Sequence, residues 1–222
     1  LKSRWMQILE GKRQVVLVVG DEGTGKSRLL TEFEQRTRQS GFGFNRIPVC
    51  CRPQIRSVAY ECLAETYREL GQPAADGGVA GASVASSGEA EDSDSVPLLA
   101  QLSSRRTRKE AALTSSEKVD FGKGFQSWLH SLAEASPVLF LVEDIQWADP
   151  ATLDFLQSLV TAGQDGRILT VMVCRSEFET PWGSHPSQSQ IAMPSLSKRH
   201  ISQLLSNKSA DELPSDEFVR AV

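Results

Sequence analysis

The 222 residues are enough for one substantial α/β core and too few for two full domains. With 40% apolar and 23% charged residues the composition is that of an ordinary globular chain, and a net charge of -4 argues against a generally basic nucleic-acid surface, leaving room only for a local basic patch. No apolar run approaches the ~20 residues of a membrane helix and no charged-then-apolar leader opens the sequence, so a cytoplasmic location without membrane contact is expected. Leu1 stands where an initiating Met would, and the chain is therefore expected to be a segment of a longer protein. Cys50, Cys51, Cys62 and Cys174 form no C-x-x-C pair and are expected to be reduced thiols, three of them within apolar patterns.

In chain order, Val15–Val19 is a continuous apolar run closed by Gly20, the pattern of a central parallel strand. Lys26 to about Arg38 follows as a helix with Leu29, Leu30 and Phe33 on one face. Phe44–Cys51 reads as a second strand, and Pro48 within it predicts a place near a sheet edge. Ser57–Leu70 repeats Ala59, Cys62, Leu63, Thr66, Tyr67 and Leu70 at helical period, with Gly71 and Pro73 to stop it. Residues 74–95 then change character, holding no aromatic and no basic side chain. Such a stretch buries too little apolar area to offset its ordering entropy and is expected to be a disordered surface insertion. Arg105–Lys109 brings four basic residues in five, read first as a solvated face.

A helix over Lys123–Ala135 turns Phe125, Trp128, Leu129 and Leu132 inward, its start obscured by Gly122 and Gly124. Pro137 ends it, and Val138–Val142 is a second buried strand. Asp149 and Pro150 then form a helix start, Asp as cap and Pro at the first position. Leu153, Leu156 and Val160 give that helix its apolar face, and Gly163 closes it. Ile168–Cys174 is the next strand, followed by a short one near Ile191–Met193 and a helix from about Ser197. Strands alternating with helices predict an α/β fold, a parallel sheet covered on both faces.

Gly20-Asp21-Glu22-Gly23-Thr24-Gly25-Lys26-Ser27 matches the phosphate-binding pattern G-x-x-x-x-G-K-[ST] at every fixed position, after a predicted strand and before a predicted helix. Glycines let the backbone curl so that successive N–H groups converge on a phosphate, and the following helix adds its positive end. Lys26 supplies a charge for the β- and γ-phosphates and the Ser27 hydroxyl a ligand for Mg²⁺. Gly20, Asp21, Glu22, Gly23, Thr24, Gly25, Lys26, Ser27 and Arg28 form the expected nucleotide-binding set. The nearest approach to a guanine-reading Asn-Lys-x-Asp is Asn207-Lys208-Ser209-Ala210, which lacks the acid, so ATP is favoured over GTP.

Four apolar residues and then two acids, Leu139 to Asp144, supply what a P-loop NTPase needs at the end of a neighbouring strand: one carboxylate for the metal and one for the attacking water. Period-two alternation puts Glu143 and Asp144 on opposite faces, and which serves which is left open. Arg175 ends Ile168–Cys174 and, if that strand lies beside the first, emerges at the ligand-binding edge in reach of a γ-phosphate; a surface salt bridge is the other reading.

Gly20–Leu30 (GDEGTGKSRLL) and Pro137–Leu156 (PVLFLVEDIQWADPATLDFL) together resemble the AAA-like, STAND-type regulatory ATPase modules of large signalling proteins, which occur beside class III adenylyl cyclase domains or ahead of helical repeats. Origin-recognition-like AAA ATPases are a broader relative. Ile168–Trp182 and Leu196–Leu205 are similar to the same modules further on. The resemblance implies a three-layer P-loop fold over residues 1–195, with the start of a helical lid over 196–222. It implies that Glu143 and Asp144 serve magnesium and water activation, Asp144 and Glu143 joining Ser27 around the metal, and that Arg175 senses the γ-phosphate. The Gln146–Asp149 stretch is a family hallmark in which Trp147 is expected to pack. The implied activity is slow ATP hydrolysis with Mg²⁺ in a nucleotide-dependent switch that acts on an effector domain or partner in the same signalling chain. A non-hydrolysing ATP-sensing scaffold and a DNA-associated ATPase of the origin-recognition type are the alternatives.

Overall fold

A computed structural model describes residues 1–70, 114–163 and 165–195. Five parallel strands lie in the order β2-β3-β4-β1-β5, where β1 is Gln14–Val19, β2 Asn45–Cys50, β3 Val138–Glu143, β4 Ile168–Cys174 and β5 Gln188–Ala192. The predicted α/β class holds. Strand parity divides the core in two. Val16, Val18, Leu139, Leu141, Leu169, Val171 and Val173 face α1 (Lys2–Leu9) and α2 (Lys26–Gln39). Val15, Leu17, Phe140, Val142 and Met172 face α3 (Glu61–Leu70), α4 (Ser115–Ala135) and α5 (Pro150–Thr161). On this second face Phe125 is fully buried and meets Trp128, Phe140 and Phe155 at centroid distances of 5.2, 6.0 and 5.6 Å.

β2 is an edge strand, as Pro48 predicts. Asn45 N–H donates to Pro137 O and Cys51 N–H to Glu143 O, so the odd residues turn their donors toward β3. Pro48 falls on the outward side, where its missing N–H costs no ladder bond, and its carbonyl accepts from Thr66 Oγ1 at 2.9 Å. That edge offers little to an added strand.

Several boundaries differ from expectation. α1 went unread, although Trp5, Ile8 and Leu9 stand at helical spacing; Trp5 packs edge-on against Phe33 and Phe44. α3 starts at Glu61 rather than Ser57, because Tyr60 takes a left-handed backbone (φ 60°) that no helix accommodates. Its ring stacks on Phe121 at 4.8 Å, its N–H donates to Asp149 Oδ2 at 3.1 Å, and burial beside Asp149 pushes its phenol up to about 12. α4 starts at Ser115, eight residues before the expected Lys123, and runs through both glycines. Thr114 caps it in a reciprocal box with Glu117, and a Cβ at Gly122 would lie 3.2 Å from Tyr60 Oη. β5 begins three residues before the expected Ile191, its polar residues giving no periodic signal. Gly71, Pro73, the segment 74–95, Arg105–Lys109, the helix from Ser197, the stretch Asn207–Ala210 and the lid over 196–222 lie outside the described residues. Among the described residues no helix is long and apolar enough to cross a membrane. Cys51, Cys62 and Cys174 are buried free thiols, and Cys50 is exposed.

Asp149 ties the two halves of the second face together. Buried at 4% exposure, it caps α5 through Thr152 N–H at 3.0 Å, accepts from the Thr152 hydroxyl, and holds the Tyr60 turn. Asp149→Ala strands three donors in the interior, and its urea midpoint should report a loss of about 2–4 kcal/mol with little change in m-value. Asp149→Asn, which keeps an acceptor, should lose less.

Candidate functional site

Parallel pairing brings every strand's carboxyl end to one edge, and the site is built there. β1 ends at Val19, level with Cys174 of β4 and Ala192 of β5. Gly20 N–H continues the ladder to Cys174 O, and Met193 N–H donates to Val19 O at 2.7 Å. A Cβ at Gly20 would come within 2.8 Å of Met193 O and 2.9 Å of Thr24 Oγ1, so only glycine fits where the loop leaves the sheet.

The loop then curls over itself. Thr24, buried, donates its hydroxyl to Asp21 O at 2.8 Å. Gly23 and Gly25 take positive φ of 79° and 89°, and a Cβ at either would meet nothing within 4 Å. Backbone that only glycine adopts readily lets the loop curl, as a phosphate-binding loop requires. Gly25 is the residue before the first turn of α2, so the free N–H groups of that turn lie at the end of the loop. Lys26 Nζ bridges the loop, donating to the carbonyls of Gly20 at 2.7 Å and Asp21 at 2.6 Å. Its charge thus lies against the loop. Arg28 is exposed on the same turn of α2.

The two acids part company as their parity requires. Leu139 and Leu141 face α2, so Glu143 does too, and it accepts from the Ser27 hydroxyl at 3.2 Å. Asp144 leaves the strand in a left-handed turn (φ 58°), which Asp adopts more readily than most side chains. Its Oδ1 accepts from Gln146 Nε2 at 2.9 Å, while Gln146 Oε1 is buried without a partner. Cys51 N–H donates to Glu143 O at 3.0 Å, fixing the backbone beneath both acids. The two acids thus differ in position: Glu143 meets Ser27, and Asp144 sits on the turn beyond.

Arg175 leaves β4 one residue after Cys174, level with the start of the loop at Gly20. Its Nη2 donates to Glu22 Oε2 at 3.1 Å, and Ser176 Oγ donates to Asp21 Oδ1. Of the two readings of Arg175 from the sequence, the salt bridge is the contact observed, and it is made at the carboxyl edge of the sheet, beside the loop. Ser176 was not singled out from the sequence, though it directly follows Arg175, which was. Trp147 packs on the core of the second face, as expected of it. Burial pushes the Cys174 thiol up to about 11 against the opposing charge of Lys26, so it stays protonated and offers no nucleophile beside the loop.

Residues 1–172 match the family model described as AAA ATPase domain. An uncharacterized protein of Rhizobium meliloti (strain 1021) is 27% identical over 196 residues, covering 85% of this chain and 19% of its own length. The chain thus spans about a fifth of that relative. A solved structure of Drosophila ORC bound to DNA covers 88% of this chain and 41% of its own, at 11% identity and a TM-score of 0.44. The five-stranded parallel sheet accords with the family match, and the chain belongs to the AAA ATPase domain family of P-loop nucleotide-binding modules.

Proposed function

We propose that this chain is the nucleotide-binding core of a regulatory ATPase of the STAND kind, which binds ATP with Mg²⁺, hydrolyses it slowly and switches an attached effector. The observation that carries the reading is the Ser27–Glu143 contact at 3.2 Å, which joins the end of the phosphate loop to the end of β3. A hydroxyl and a carboxylate so joined are hard oxygen donors of the kind magnesium takes, usually with water between metal and acid.

Each side chain then has one task. The loop N–H groups and Lys26 hold the phosphates. Ser27 and Glu143 hold the metal, and Asp144, oriented by Gln146, takes a proton from the attacking water. Arg175 binds the terminal phosphate through its planar fork. Magnesium, bound with nucleotide, supplies charge that offsets the crowd of anions. Four carboxylates, Asp21, Glu22, Glu143 and Asp144, already stand at this edge against Lys26 and Arg175. Adding a triphosphate without a divalent cation would be electrostatically uphill. The switch follows if the bound and product states make different contacts with the rest of the protein.

Equilibrium titration with Mg·ATP tests the reading. Lys26→Ala should weaken binding roughly 100-fold or more, and retained micromolar affinity would refute the loop assignment. Chelating magnesium should weaken ATP binding by the parent protein as well; affinity unmoved by the chelator would remove the metal role from Ser27 and Glu143. Asp144→Asn should keep binding while phosphate release falls about 100-fold, and Glu143→Gln should affect both. Parental turnover in both variants would overturn the assignment of the acids. Tight binding by the parent with no phosphate release would instead identify an ATP-sensing scaffold.

A further inference from the structure

Two carboxylates in a phosphate-binding loop are an electrostatic oddity, and both are engaged by the same short segment. Asp21 accepts from Ser176, and Glu22 accepts from Arg175 at 3.1 Å. We infer that Glu22 is a specificity-determining residue, which sets the preference for triphosphate over diphosphate by competing with the terminal phosphate for Arg175. The inference rests on the functional reading above and names the regulation of that same site.

The geometry carries it in three steps. First, Arg175 stands where it serves two anions. Gly20 N–H bonds Cys174 O, so the arginine leaves β4 level with the start of the loop. Second, its bond to Glu22 is displaceable. The Glu22 side chain is 83% exposed and that of Arg175 37%, so water screens the pair and leaves it weak. A doubly charged terminal phosphate offers the guanidinium a stronger acceptor than one carboxylate does. Third, the competition is selective. A diphosphate leaves the Arg175–Glu22 pair in place, whereas a triphosphate has to break it and then lie near the released carboxylate. Glu22 therefore opposes ATP more than ADP. Asp21 has no such leverage, because its partner is the uncharged Ser176 and its carbonyl is tied to Thr24 and Lys26.

The experiment is equilibrium binding of a non-hydrolysable Mg·ATP analogue and of Mg·ADP to the parent chain, Glu22→Gln, Arg175→Gln and the double variant, at low salt. In Glu22→Gln the ratio of ADP to ATP-analogue dissociation constants should rise roughly two- to five-fold, the scale of a part-exposed ion pair. In the Arg175→Gln background the same change should leave the ratio nearly unmoved, and raising the salt should shrink the effect in the parent background. An equal shift for both nucleotides, or the same rise without Arg175, would mean that Glu22 acts only as a general negative charge and would overturn the inference. Binding of neither nucleotide by the parent would overturn the functional reading and this one with it. Binding of both with an unmoved ratio would overturn this one alone.

Discussion

The parallel register of the sheet is the constraint on which everything else in this molecule depends. Because β1 is bonded to β4 on one side and β5 on the other, Val19, Cys174 and Ala192 finish level with one another. Three chain exits at one edge make a site possible; an antiparallel partner would have sent one of them to the far side. The register is itself held by the pleat. Each of β1, β3 and β4 buries apolar residues on both faces, so a slip of one residue would exchange two packed surfaces at once. The chemistry therefore inherits its positions from a core that has little freedom to move.

Within that frame, pleat parity sorts the charged residues. The α2 face of β3 runs Leu139, Leu141, Glu143, and α2 begins with Lys26 and Ser27. Acid and hydroxyl meet because they share a face, without any loop having to find them. The loop itself is fixed from below by the close approach of Gly20 to Met193 and from within by Thr24 and Lys26. Several short polar contacts thus stand on a rigid apolar floor, which is the arrangement that keeps a phosphate cradle from collapsing.

Much of this was legible in the sequence because the signals were local. The runs at Val15–Val19 and Val138–Val142 are apolar without interruption, Ile168–Cys174 is broken only by Thr170, and runs this short and rich in branched side chains read as buried strands. The phosphate loop follows from residue types at fixed spacing. What escaped was decided at a distance. Tyr60 adopts a left-handed backbone because Phe121 and Asp149, far along the chain, reward it there; helical period alone carries α3 back to Ser57. Thr114 and Glu117 do form a capping box, but Val119 stands exposed at 55% and the glycines weaken the pattern between. β5 pairs through its backbone on one side only, so its side chains need not alternate. Alternation also predicted opposite faces for Glu143 and Asp144 without revealing that the strand stops between them.

That stop connects the core to the chemistry. The turn from Asp144 to Asp149 is pinned by Ile145, which is fully buried, by Ala148, and by the Trp147 ring against the second face. At its far end Asp149 caps α5 and holds Tyr60. A left-handed Asp144 costs on the order of 1 kcal/mol and persists only where surroundings over-determine it. Here they do: the buried side chains on either flank set the backbone, and Gln146 returns to hold the carboxylate. The stretch Gln146–Asp149 is accordingly mechanical rather than chemical. Its residues fasten Asp144 in place by packing and capping, and a disturbance among Tyr60, Phe121 and Asp149 on the far face of the sheet has a direct covalent route to that acid.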